Sequence, residues 1–186
     1  MTGKAILGVV LGAVALFIWG FVFWGLLPTP TSIFRSFTNE AAVAEALKAN
    51  STEPGVYTVP DASLMGRDAA EYTRRHEFGP VAMVFIHPGG LSVMPPSMMV
   101  TGFLNMLAFV FLMALLLGMA APALGTYSRR VAFVFLAGLV SVVFIDLGQP
   151  VWWRHTWDYW LANAAYHAVG ALIVGLILAR FQPGKV

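Results

Sequence analysis

The chain has no cysteine. Disulfides, thiolate metal sites, cysteine nucleophiles and cysteine-held iron–sulfur clusters are therefore excluded. Charge is scarce too. Only 11% of the 186 residues are charged, against about 25% in a soluble domain. No dense basic stripe of the kind that binds nucleic acid is present. No Gly-x-Ser-x-Gly, His-Glu-x-x-His or phosphate-loop signature occurs. No enzyme activity and no cofactor are expected on these grounds.

The most telling absence is local. Lys4, Arg129, Arg130, Arg180 and Lys185 stand in segments that contain no acidic residue. All nine Asp and Glu fall elsewhere. Four apolar runs separate the two sets, at about Ala5–Leu27, Ser97–Ala121, Val131–Gln149 and Leu161–Ala179. Each approaches or exceeds the length of about 20 residues needed to cross a bilayer. Hydrophobic residues make up 59% of the chain and mean hydropathy is +0.76. The expected fold class is an α-helical integral membrane protein with four transmembrane helices and a small α+β extracytoplasmic insert between helices 1 and 2.

The acid-free cations set the orientation. Cytoplasmic loops carry an excess of Lys and Arg. Both termini and the loop between spans 2 and 3 are thus expected in the cytoplasm. Residues 1–27 read as the N-terminus and span 1, 28–96 as the outer insert, and 97–186 as spans 2–4. The first apolar run is too long for a signal-peptide core and lacks a small-x-small exit, which predicts a retained anchor. Gly8 and Gly12 in span 1 have the spacing that lets helix backbones approach. They predict packing within the bundle or, alternatively, a homo-oligomer contact.

Within the insert, Thr38 or Asn39 is placed to cap a helix ending near Asn50, with Glu40 and Lys48 matching its dipole. Gly55–Pro60 and Pro80–His87 read as strands punctuated by Gly and Pro. The polar stretch from Met65 to His76 reads as a short helix or a loop. Pro95–Pro96 closes the insert, and Ser97 is the expected cap of span 2.

Three constellations could carry chemistry. Asp146 lies roughly 5 Å and His167 roughly 9 Å below the outer end of their runs, at 1.5 Å per residue. Spans 3 and 4 are joined by a short loop, so the two residues can pair. Asn163 and His167 share a helix face at i,i+4. With Tyr166 and Arg154 they form a candidate ligand or proton pocket, because an ionisable residue inside a span is costly to keep. The bland alternative is an interhelical hydrogen bond near the headgroups. Arg154 and Asp158 are also spaced to pair.

The second constellation is the loop Pro150–Trp160, which holds four of the six Trp. It reads as an interfacial belt or as an aromatic wall for a ligand or partner. The third is His87 with Met94 and Met98, whose imidazole and thioethers suit Cu(I). Adaptable apolar packing is the alternative for the methionines.

The stretches ALFIWGFVFWGLLP, VAEALKAN with PGVYTVP, and VMPPSMMVTGFL resemble a group of small bacterial four-span inner-membrane proteins without an assigned function. The resemblance implies the same topology and a bacterial inner membrane. It implies no activity, cofactor or catalytic residue. The sequence favours a non-enzymatic accessory subunit that presents its insert and Trp-rich loop to a partner. Ligand or proton handling at Asp146 and His167 is the alternative, followed by copper binding.

Overall fold

In the computed structural model, residues 2–28 and 32–182 are described; Lys185 lies outside them. The chain divides into two units, Met1–Arg35 with Met94–Val186, and Ser36–Val93.

The first unit is helical. α1 spans Gly3–Phe21 and continues through a π-helical turn, Val22–Leu26. The Thr2 hydroxyl caps it by accepting from the Ala5 N–H. α1 buries Ala5, Gly8, Val9, Gly12, Ala13 and Leu16, positions three or four apart that form one face. A Cβ on Gly8 would lie 2.7 Å from the Phe181 Cβ, and one on Gly12 would lie 2.8 Å from a Val110 methyl. The small-residue spacing is thus used inside the chain.

The three other long helices among the described residues of this unit fall in its second segment. Pro96–Ala120 forms a long helix followed by the short 3-10 turn Ala121–Ala123. Pro96 occupies its first turn, where a missing N–H costs nothing. The expected Ser97 cap is not made; Pro95 holds the cap position, and the Ser97 carbonyl accepts from Thr101 instead. The next helix, Tyr127–Ser141, runs into a second π-helical turn, Val142–Asp146, and a short helix, Gly148–Trp152. The last, Trp157–Phe181, completes the bundle.

In chain order the helices are α1, then α2 (Glu40–Asn50), α3 (Leu64–Arg67) and α4 (Ala69–Phe78) of the second unit, then α5 (Pro96–Ala120), α6 (Tyr127–Ser141), α7 (Gly148–Trp152) and α8 (Trp157–Phe181). α8 packs extensively on α6 and α1, and α1 packs on α5. α5 and α6, though consecutive, touch little. The bundle is therefore closed on three sides and loose on the fourth.

Its core joins Val9, Ala13 and Leu16 to Val110, Leu117, Val134, Val174 and Leu178. Small residues set the closest approaches. A Cβ on Gly138 would collide with that of Ala171. Ile18, Phe21, Leu104, Leu112, Met119 and Phe144 remain exposed, more apolar surface than a soluble monomer presents. Four helical segments are long and apolar enough to cross a membrane: Gly3–Leu26, Pro96–Ala123, Tyr127–Trp152 and Trp157–Phe181.

The second unit holds a two-stranded antiparallel sheet, β1 (Gly55–Val59) with β2 (Ala82–Ile86), in the register Val56 opposite Phe85 and Thr58 opposite Met83. Asn39 caps α2 by accepting from the Ala42 N–H. The polar stretch between the strands forms two helices, α3 and α4, rather than one. Asp68 separates them: its backbone leaves the helical region at φ −152°, and its side chain accepts from Glu71 N–H to start α4. Gly79, at φ +74°, ends α4 in a conformation that L side chains rarely adopt.

Candidate functional site

His167 Nδ1 and Asp146 Oδ2 are 2.7 Å apart. The Asp146 side chain is only 4% exposed, whereas that of His167 is 49% exposed. Asp146 reaches this position through the π-helical turn. The buried positions Val134, Gly138, Val142 and Asp146 recur every four residues. In an unbroken α-helix each such step drifts about 40° around the axis. The wider turn, closed by Leu147 N–H to the Val142 carbonyl, counters that drift and returns Asp146 to the face turned toward α8.

His167 is anchored from the other side by aromatic packing. Its ring centroid lies 5.0 Å from that of Tyr166. Tyr166 in turn stands 5.2 Å from Phe23, 5.8 Å from Trp24 and 6.2 Å from Trp19. The Trp19 indole N–H donates to the Tyr166 carbonyl at 3.0 Å. The second π-helical turn, in α1, is where Phe23 and Trp24 join this cluster.

A cavity of about 450 Å³ opens beside the Asp146–His167 pair. Its polar lining is Asn105, Ser141, Asp146, Tyr166 and His167; the rest is apolar, including Leu16, Met106 and Phe109. Neither Asn105 nor Ser141 has a side-chain hydrogen bond among the described residues. Neither Asn105 nor Ser141 is among the residues that the sequence singles out for the pocket. The available signal was a lone amide in a long apolar run.

The site also lies further from the helix ends than the apolar runs indicated. His167 is ten residues after Trp157 and Asp146 six before Trp152. At 1.5 Å per residue these are about 15 Å and about 9 Å from the helix ends. The runs are shorter than the helices because the helices continue through the Trp-rich residues, which hydropathy reads as loop.

The structure does not bring every candidate to the cavity. Asn163 turns back on its own helix, donating to the Tyr159 carbonyl at 2.9 Å. Arg154 adopts φ +55° in the connection before α8. Asp158 pairs with Arg35 at 3.6 Å, in place of the expected Arg154. The Trp-rich connection is partly ordered by Trp160, whose indole N–H donates to His155 Nδ1 at 3.1 Å. His87 follows β2 in the second unit, whereas Met94 and Met98 belong to the first. Among the described residues no group of three His, Cys, Asp or Glu is placed to hold a metal.

No protein-family model, curated protein or solved structure matches the chain. The class rests on the fold itself: a mostly helical protein with four helices of membrane-crossing length and apolarity, and a small two-stranded sheet. Within that fold, an interhelical cavity is lined by Asp146 and His167.

Proposed function

We propose that this chain is a multi-pass bacterial inner-membrane protein that binds a small ligand in the cavity beside Asp146 and His167. Both termini and the turn between α5 and α6 face the cytoplasm, and the insert faces outward. One observation carries the binding reading: a buried carboxylate 2.7 Å from a half-exposed imidazole at the wall of a 450 Å³ cavity. An interhelical hydrogen bond alone accounts for the pair. It does not account for the space beside it, or for two further polar side chains lining that space without partners among the described residues. Polar groups inside a span are expensive unless satisfied. Cavities of about 300–1,000 Å³ with a few convergent polar groups are the usual form of small-molecule sites.

The test is extraction of small molecules from protein purified in native-membrane discs, compared with Asp146→Asn and Asn105→Leu. A species enriched with the parent chain and depleted in both variants supports binding. Equal recovery from all three overturns it. Orientation is testable because the chain has no cysteine. A membrane-impermeant maleimide should label Ser63→Cys in intact cells and leave Ser128→Cys unlabelled.

A second reading concerns the insert. Val56 and Phe85 are cross-strand neighbours on one sheet face, 56% and 78% exposed. That apolar pair favours a partner-binding, accessory role for the outer unit. Replacing both by Ser should abolish a crosslinked partner band without changing insertion; an unchanged band counts against it.

A further inference from the structure

We propose that the end of the bundle carrying Lys4, Arg129, Arg130 and Arg180 binds the phosphate of an anionic phospholipid, with the Arg130 guanidinium at the centre of the site. This goes beyond the ligand-binding reading above and shares with it only the membrane setting.

The starting observation is a buried arginine. Arg130 stands in the first turn of α6 and is 8% exposed. Its Nη1 donates to the Leu124 carbonyl at 3.4 Å, near the long limit of a hydrogen bond. Nε is enclosed and has no acceptor among the described residues. Nη2 has no acceptor among them either. These two nitrogens form one edge of the guanidinium, and parallel N–H bonds from such an edge fit two oxygens of a phosphate. Arginine does not shed its charge in a protein. A buried charge without a counterion is costly.

No carboxylate side chain is at hand to act as that counterion. The ion pairs among the described residues do not include Arg130. Asp146, the next acid along the chain, is sixteen residues away, about 24 Å along a helix, and is held by His167. The neighbouring elements bring only cations. A Cβ on Gly8 would touch Phe181, so the start of α1 meets the end of α8. The Tyr127 hydroxyl donates to the Leu176 carbonyl, so the start of α6 meets that end too. Lys4, Arg129 and Arg180 therefore share this end of the bundle with Arg130, and all three are exposed. The first turn of α6 holds no acid, although the positive end of a helix dipole and its unpaired N–H groups favour an anion.

The surroundings select a lipid as the source of that anion. The Leu124 carbonyl that accepts from Arg130 directly follows the 3-10 turn closing α5. The last turns of α5 expose Leu112, Leu116 and Met119, whose spacing puts them on one helix face. An acyl chain can lie along that face while its phosphate lies at the bundle end. A zwitterionic headgroup would bring an ammonium among four cations with no carboxylate side chain to receive it. An anionic headgroup brings only the charge that is missing. Basic pockets between spanning helices are an established mode of headgroup recognition.

The experiment is native mass spectrometry of the full-length protein in detergent, titrated separately with dioleoyl-phosphatidylglycerol and dioleoyl-phosphatidylcholine. The glycerol lipid is expected to bind about tenfold more tightly. Arg130→Gln should remove that preference. Arg129→Gln alters an exposed position, so it should fold and lower the preference several-fold; it decides the matter if Arg130→Gln does not fold. Arg35→Gln removes an equal charge beside Asp158, at the other end of α8, and should change nothing. Equal binding of the two lipids overturns the proposal. An unchanged preference in folded Arg129→Gln and Arg130→Gln, or an equal loss in Arg35→Gln, overturns it as well. Displacement of the glycerol lipid by millimolar inorganic phosphate assigns the site to the free anion and overturns the lipid source.

Discussion

The helical unit and the insert are held together by different physics. The helical unit has a contiguous core running from Val9 to Leu178, with several side chains wholly buried. In the insert, α2, α3, α4 and both strands contain no buried residue. Apart from the pairing of β1 with β2, its order is local and polar. Asn39 and Asp68 cap helices, Asp61 accepts from Ser63 and Arg67, and Glu71 is gripped by Arg74 and Arg75 at 2.6–2.8 Å. The helical unit should thus respond to changes of shape and the insert to changes of charge and capping. Where the surroundings are apolar, van der Waals fit and interhelical hydrogen bonds decide association. Where water competes, each polar contact contributes little and many are needed.

The largest effect should come from filling the tightest approach. Gly138→Val forces α6 from α8, because the added carbon meets the Ala171 Cβ. A loss of about 3 kcal/mol is expected, the upper end for overpacking, read as a lower melting temperature with the insert's α2 unaffected. An unchanged melt would mean that the core does not govern this unit. Next is His167→Ala, which strips Asp146 of its partner. About 1–2 kcal/mol is expected for an interhelical polar contact of this kind. A double-mutant cycle with Asp146→Asn should return most of that figure as coupling; additivity would show that the pair does not interact.

Smaller effects belong to the insert. Asn39→Ala removes the α2 cap and should cost about 1 kcal/mol, seen as faster hydrogen exchange in Glu40–Asn50 and nowhere in α8. The last prediction uses acid. Hydrogen bonds from Arg74 and Arg75 lower the Glu71 carboxyl from 4.5 to about 2. A depressed carboxyl stabilises the fold fully above its unfolded value and loses that contribution as pH falls through its folded value. α4 protection should therefore decline between about pH 4.5 and 2 and lose this dependence in Glu71→Gln, while α1 and α5, which contain no carboxylate side chain, stay indifferent. A decline shared by all helices would erase the contrast between the units.

Much of this contrast is legible in the sequence. Long apolar runs mark four helices, since little else places so many apolar residues consecutively. Asn39 and Gly55 mark the starts of α2 and β1 through capping and turn chemistry. The Asp146–His167 contact follows from a short connection between neighbouring helices. Its distance from the helix ends does not, because α8 begins at Trp157 rather than Leu161. Arg154 and Asn163 looked as suitable as Asp146, yet one lies in the connection and the other bonds its own helix.

The sequence alone determined the number of the apolar helices, the sorting of charge between their ends, and the small-residue faces available for contact. These depend on composition and on spacing along one helix. Only the tertiary structure decided that α5 and α6 stay apart, that a π-helical turn brings Asp146 into line, and that Asn105 and Ser141 face the same cavity. Those outcomes depend on how helices distant in sequence meet, and on a local change of helical phase that no side chain in Val142–Asp146 announces.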